Sequence, residues 1–270
     1  MSTINEPPKP FSFDVQEALR SGFYVSGTTG CGKSHVAMHA ADMLMKEGVR
    51  VIVIDPSEDW EENSNISNII RIQKLPISLS LNINTSLILD TKTLTILEEQ
   101  KFVEEFCRLI FEKQVSTPRE KRKYFVIVFE EGQTKLPEGC LRARKFQNTV
   151  RLLSVSRNYK IRMGAITPFA ASLDKAVLKY MRQRYFGATD EKNDINYIAE
   201  FIGKEDAQNL KYFKAGEFLY YYPLKRIQEK IYSDFHKRTV KLNGNYLSVK
   251  VEEPGDLEEE VELQEGEGDS

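Results

Sequence analysis

The sequence predicts an α/β fold, a mostly parallel twisted sheet flanked by helices. Two stretches carry that expectation. GTTGCGKS at residues 27–34 follows a short apolar run and opens an amphipathic one, which is the strand, glycine loop and helix of a phosphate-binding loop. YFVIVFEE at residues 124–131 is six apolar residues ending in two carboxylates, as expected of a buried parallel strand whose C-terminal end faces a site. Between and after them, β-branched runs at residues 50–56, 86–90 and 161–167 are separated by helical-period segments, the alternation of a parallel α/β sheet.

Residues 1–20 read as a flexible N-terminal arm, polar and proline-rich at first, with Phe11 and Phe13 pinning an edge segment to the body. Residues 22–26 form the first strand. The loop after it fits the phosphate-binding pattern at Gly27, Gly32, Lys33 and Ser34. Backbone N–H groups converge on dense negative charge only where no side chain intervenes, hence the glycines. The helix start adds unpaired N–H groups and a positive dipole end. The expected ATP-binding set is therefore Gly27, Thr28, Thr29, Gly30, Cys31, Gly32, Lys33, Ser34 and His35. Lys33 reaches the β and γ phosphates, Ser34 ligates Mg2+, and Cys31 is passive. The helix over residues 33–47 buries Val36, Ala40, Met43 and Leu44, and Gly48 stops it.

RVIVIDP at residues 50–56 is the next strand. Asp55 at its end is either a site residue or a turn cap, and Trp60 either stacks on a base or packs over the sheet edge. Residues 63–85 look irregular, and residues 86–90 are a strand. Thr95 and Glu98 form a capping box for a helix that carries Phe102, Val103, Phe106, Leu109 and Ile110 inward and ends near Val115. In the acidic strand, Glu130 is expected to hold the magnesium shell and Glu131 to polarise the attacking water; capping of the strand is the alternative role, more for Glu130 than for Glu131.

Residues 139–157 read as a helix with the stripe Phe146, Val150 and Leu153. Arg142, Arg144, Lys145, Arg151 and Arg157 lie off it, either tracking a phosphate backbone or forming a solvated face. Residues 161–167 are a strand ending in Thr167, a position suited to sensing the γ-phosphate. A helix over 171–183, a strand over 184–189, a helix from 195 stopped by Gly203, and a tyrosine-bearing edge strand over 216–223 follow. NGN at 243–245 suggests a hairpin.

The whole chain of 270 residues has a net charge of −2 and is 41% apolar, enough for a real core. Ten acids and no base lie in residues 252–270, so residues 1–251 carry +8. That tail is expected to be disordered, and the basic body permits a nucleic-acid partner. Cys31, Cys107 and Cys140 are widely spaced, and His35, His39 and His236 offer no third ligand. This excludes a disulfide framework or a zinc pattern and points to a reducing, cytoplasmic setting. No signal peptide or membrane-spanning run is evident.

In order, GTTGCGKS, VIDPSEDW, VIVFEEGQ, RKFQNTVRLLSVSRNYKIRMGAIT, DKAVLKYMRQRYFGATDEKND and LKYFKAGEFLYY resemble the HerA–FtsK group of P-loop ATPases. Within it, they resemble the HerA-like proteins and the genome-packaging ATPases of tailless viruses with an internal membrane. The likeness covers residues 21–224, with 225–251 as a C-terminal extension. It implies a RecA-like P-loop NTPase core working as a hexameric ring around double-stranded DNA, with ATP between subunits. The implied activity is ATP-driven DNA translocation, viral genome packaging foremost, with a capsid or portal protein as partner, in host cytoplasm or virion. Lys33, Ser34, Glu130 and Glu131 carry over as ATP and magnesium residues. Arg184 looks like the arginine a neighbour supplies, with Arg182 competing. Two departures stand out. Glu130 replaces the usual Asp, and Pro168 follows Thr167 where the group tends to place Gln; Gln133 is the candidate substitute.

Two other readings stand. A nucleotide or small-molecule kinase requires a lid, for which residues 113–123 are the only candidate and precede the acidic strand. A non-enzymatic ATP-dependent switch requires no turnover.

Overall fold

Among the described residues, ten strands form one sheet in the order β1-β10-β9-β8-β2-β7-β6-β3-β5-β4. The computed structural model describes residues 7–73, 85–142, 146–234, 239–242 and 245–248. The first half runs Lys9–Pro10 (β1), Val15–Ser21 (α1), Phe23–Ser26 (β2), Lys33–Lys46 (α2), Arg50–Asp55 (β3), Asp59–Asn63 (α3), Ile69–Arg71 (β4) and Leu87–Asp90 (β5). Ile96–Ser116 (α4), Phe125–Phe129 (β6), Gly132–Lys135 (α5), Gln147–Val155 (α6), Ile161–Thr167 (β7) and Gln183–Phe186 (β8) follow. Lys192–Ile202 (α7), Lys204–Asn209 (α8), Glu217–Tyr222 (β9) and Ile227–Tyr232 (β10) complete that sheet and its helices. Thr239–Leu242 (β11) and Asn245–Ser248 (β12) pair antiparallel, which is the expected hairpin.

From β8 to β4 every neighbouring pair is parallel; β9 alone turns against both its partners. Parallel strands are covered on both faces. One face packs Tyr24, Ile52, Ile54, Ile127 and Phe129 against Phe102, Phe106 and Ile110 of α4 and Ile198 of α7. The other packs Phe23, Val25, Val51, Val53 and Val128 against Val36, Ala40 and Leu44 of α2 and Ala18 of α1. Each fully buried Val, Leu, Ile or Phe among them contributes roughly 1.5–3 kcal/mol. The Thr95–Glu98 capping box closes the N-terminus of α4 as predicted. Leu109, expected inward, is only half-buried, while Cys107 and Phe111 take core positions.

Several expectations change. Residues 15–20, assigned to a flexible arm, lie in α1, because Asp14 caps its first turn and Phe13, Ala18 and Leu19 are buried. Phe11 and Phe13 do pin this segment, against Tyr185 and Phe23. The helix expected over 139–157 is regular only as α6; Arg144 and Lys145 lie outside the described residues. No α-helix forms over 171–183. Leu173 bridges to Pro137, the Asp174 N–H donates to the Leu136 carbonyl, and the Asp174 carboxylate takes the Ala176 N–H. That extended pairing breaks the segment into two short 3-10 turns. The tyrosine strand is not an edge: β10 pairs along β9, and β1 lies beyond β10. Residues 1–6 and the acidic tail at 252–270 lie outside the described residues.

Candidate nucleotide site

Strand order builds the site. β7 lies between β2, which feeds the phosphate loop, and β6, which delivers the acids. The register pairs Ser26 with Thr167, so the last residue of β7 stands beside the start of the loop. Gly27, Glu130 and Thr167 thus meet at the C-terminal edge of the parallel strands, where α/β sheets bind ligands.

Gly27 has φ 147°, and a Cβ there would lie 2.8 Å from Cys31 Sγ and 2.9 Å from the Ala188 carbonyl. No other residue fits. Cys31 is buried against that glycine, and burial pushes its thiol pKa up, which agrees with a passive role. Thr28 donates its N–H to the Ala188 carbonyl at 2.7 Å. Thr29 and Gly30 are exposed. Gly32 is left-handed and leads into α2. Lys33 is buried and folds back, donating from Nζ to the Thr28 carbonyl at 2.9 Å. The His35 ring lies 4.4 Å from that of His39, with Nδ1 3.2 Å from Ser233 Oγ.

Ser34 and Glu130, separated by 96 positions, meet: the Ser34 hydroxyl donates to Glu130 Oε1 at 3.2 Å. The other Glu130 oxygen accepts from Trp60 Nε1 at 2.6 Å. Burial, helped by Asp55 and Glu131, raises the Glu130 pKa to about 7, against the pull of the Trp60 and Ser34 hydrogen bonds. Asp55 takes the cap role: Oδ1 accepts from Ser57 N and Oγ, and Oδ2 from Trp60 N. Trp60 is fully buried rather than placed for base stacking. Asp59, exposed at the rim of the same cluster, has its pKa raised by partial desolvation and then by Asp55, Glu62 and Glu131.

Glu131 follows β6 in a left-handed conformation, φ 50° and ψ 50°. Its Oε2 accepts from Gln133 Nε2 at 2.6 Å. Behind it, fully buried Lys135 donates to the Glu130 carbonyl at 2.6 Å and pairs with buried Glu99 at 2.9 Å. Glu99 also accepts from Thr91 and Thr134. Burial lowers the Lys135 pKa.

The donor set fits a nucleotide with a divalent cation. At exposed Gly30 the loop is open, with nothing within 4 Å of where a Cβ would stand, and the buried Glu130 carboxyl beside the Ser34 hydroxyl offers oxygen to a cation. Among the described residues no group of three or more His, Cys, Asp or Glu side chains gathers at one point.

The arginines fall differently from expectation. Arg184 is interior. Its side chain donates to the Met181 and Leu178 carbonyls at 3.0 and 2.7 Å and lies 4.4 Å from the Phe201 ring centroid. As an even-numbered residue of a central strand, it points into the face covered by α7. Arg182 is exposed. With Arg20, Arg157, Arg162 and Lys179 it lines a cavity of about 550 Å³. Sequence reasoning missed Trp60 as the donor to Glu130, and the Lys135–Glu99 pair. The signal for Trp60 was that a buried indole N–H needs an acceptor.

The family described as "Helicase HerA, central domain" matches residues 3–249. No curated relative matches the sequence. The genome packaging NTPase B204 from Sulfolobus turreted icosahedral virus 2, solved with ATP-gammaS, is similar at 16% identity and TM-score 0.61, over 80% of this chain and 99% of that one. The plasmid coupling protein TrwB with ADPNP is similar at 9% identity and TM-score 0.65, over 90% and 93%. VirB4 of Thermoanaerobacter pseudethanolicus is similar at 14% identity and TM-score 0.58, over 87% and 99%. At these identities the likeness is one of fold. Among the described residues no helix is long and apolar enough to cross a membrane.

Proposed function

The chain belongs to the HerA central-domain family, P-loop ATPases of the HerA–FtsK superfamily, and from that premise we propose that it is an ATP-driven translocase of double-stranded DNA whose foremost role is packaging a viral genome. The observation that carries the reading is the Ser34–Glu130 contact. It joins the phosphate loop to the acidic strand across the inserted strand β7, the arrangement a hydrolase needs. Packaging is favoured by the likeness to B204, a genome packaging NTPase. A capsid or portal protein is then the partner, and the working form is a hexameric ring.

In this reading Lys33 leaves the Thr28 carbonyl for the β and γ phosphates of ATP. Ser34 and Glu130 would hold Mg2+, which would supply charge neutralisation at those phosphates. Glu131 orients a water and takes its proton as the water oxygen bonds to the γ phosphorus and the bond to ADP breaks. The arginine from a neighbouring subunit comes from Arg182, which is exposed, rather than from Arg184, whose donors are engaged inside. The basic cavity around Arg182 supports that choice.

The kinase alternative loses its lid. Of residues 113–123, 113–116 end α4 and 117–123 precede β6, and Arg122 is tied to the Thr117 and Asn158 carbonyls at the sheet end away from the phosphate loop.

The test is magnesium-dependent ATPase activity of the full chain with and without double-stranded DNA. Stimulation by DNA, loss of turnover in Lys33→Ala, and retained ATP binding without turnover in Glu131→Gln are expected. Turnover persisting in either variant overturns the site assignment. Phosphate transfer to a small acceptor favours the kinase, and an absence of any turnover favours the switch.

A further inference from the structure

We propose that Gln133 is a positioning residue that aims the Glu131 carboxylate and ties it to the turn after β7, through Thr167. The inference rests on the reading of Glu131 as the water-polarising acid.

Gln133 touches two groups. Its Nε2 lies 2.6 Å from Glu131 Oε2, and its Oε1 lies 2.8 Å from Thr167 Oγ1. A carboxylate only accepts, so the amide nitrogen must face Glu131 and the amide oxygen must face Thr167. The amide oxygen in turn only accepts, so the single Thr167 hydroxyl proton goes to Gln133. Thr167 Oγ1 then accepts from the Phe169 N–H at 3.1 Å, and its 3.1 Å approach to the Phe169 carbonyl carries no proton. Every donor direction is thereby fixed. The chain runs one way, from Phe169 N–H to Thr167, to Gln133, to Glu131.

The geometry has two consequences. With Oε2 engaged, the Glu131 side chain offers its other oxygen to a water, in one orientation rather than several. Carboxylate aim is also coupled to the 167–172 turn. That turn is anchored to α7, where the Ala171 N–H donates to Asp194 Oδ1 at 2.7 Å, and it presents Phe169 at 51% exposure. Pro168, with no N–H, supplies neither a side-chain amide nor a backbone donor here. Gln133, two residues after the acid it serves, supplies the amide from the neighbouring strand's end. Gln133 is half-buried and on a four-residue helix whose Lys135 is fixed by Glu99, so its base is held while its side chain reaches across.

The experiment measures steady-state ATP hydrolysis and equilibrium ATP binding by full-length Gln133→Met, Thr167→Val, Thr167→Ser and the Gln133→Met/Thr167→Val double variant, with Glu131→Gln in parallel. Met keeps length and volume without hydrogen bonds; Val keeps shape without the hydroxyl. The expected result is a kcat lower by roughly 10- to 100-fold in Gln133→Met and Thr167→Val, with KM and ATP affinity within about twofold. Thr167→Ser should recover wild-type kcat, and the double variant should be no slower than the slower single one. Unchanged kcat in Gln133→Met, equal loss in Thr167→Ser and Thr167→Val, or multiplicative loss in the double variant overturns the relay. Should Glu131→Gln stop turnover while Gln133→Met does not slow it, the relay fails and the catalytic reading stands. Turnover surviving in Glu131→Gln removes the reading beneath it.

Discussion

The indole N–H of Trp60 and the Glu130 carboxylate are joined at 2.6 Å inside the protein. One residue comes from the short helix after β3, the other from the end of β6, so this bond sets the acid's direction before any ligand arrives. Trp60→Phe keeps an aromatic but smaller ring at this fully buried position and removes the donor. Its loss leaves a buried carboxyl short of a partner, worth about 1–3 kcal/mol. The Glu130 pKa rises further, and half-maximal ATPase activity at neutral pH needs several-fold more Mg2+, as a magnesium titration of turnover would show.

Glu130 also makes stability depend on pH. Its ordinary value is 4.5, and burial raises it to about 7 in the fold. Between these values the folded chain holds a proton that the unfolded chain has released. Stability from this group is therefore greatest below that window, falls as pH rises through it, and is fully lost above it, by at most about 3 kcal/mol. Glu130→Gln keeps an acceptor for Trp60 without a charge. It should unfold like the wild type in acid and at higher denaturant than the wild type at about pH 8, while losing magnesium-dependent turnover. Equal midpoints at both pH values would refute the shift.

Lys135 and Glu99 are a buried pair, 0% and 5% exposed in their side chains. Lys135→Met strands the Glu99 charge and should cost about 3–5 kcal/mol. Glu99→Gln combined with Lys135→Met should regain much of that stability. Turnover should stay low in the double variant, because the Glu130 carbonyl has lost its donor and the acidic turn its anchor. Chemical denaturation and ATPase rates on the same samples separate the two effects.

Arg182 and Arg184 should fail in different ways. Arg184→Ala takes the guanidinium from the Met181 and Leu178 carbonyls, of which Leu178 keeps the Met181 N–H, and uncovers Phe201, a loss of about 2 kcal/mol. Arg182→Ala should fold normally, bind ATP and hydrolyse it slowly. Mixing it with Glu131→Gln subunits should restore some turnover if one subunit's arginine completes another's site.

Both signature motifs are legible because each imposes its own local geometry. GTTGCGKS needs a glycine where a Cβ would strike Cys31, and FVIVFEE is apolar because β6 is covered on both faces. The inserted position of β7 was not legible, since strand order depends on which faces pack across long separations. The segment 171–183 misled for a similar reason. Its helical period is real, but a bridge from Leu173 to Pro137 competes with it. Arg184 reads as a functional arginine in sequence, and only register on β8 shows that its guanidinium points inward. Gln133 was nameable from the missing amide after Thr167, yet its two partners are visible only once β6 and β7 lie side by side.

Glu131 sits in a left-handed backbone, where glycine or asparagine would relax the chain by about 1 kcal/mol. The protein is thus slightly less sturdy for keeping an acid at that address. A copy released from any demand for turnover would gain robustness by discarding it, so inactive descendants of this protein should tend to outlast their parent on heating.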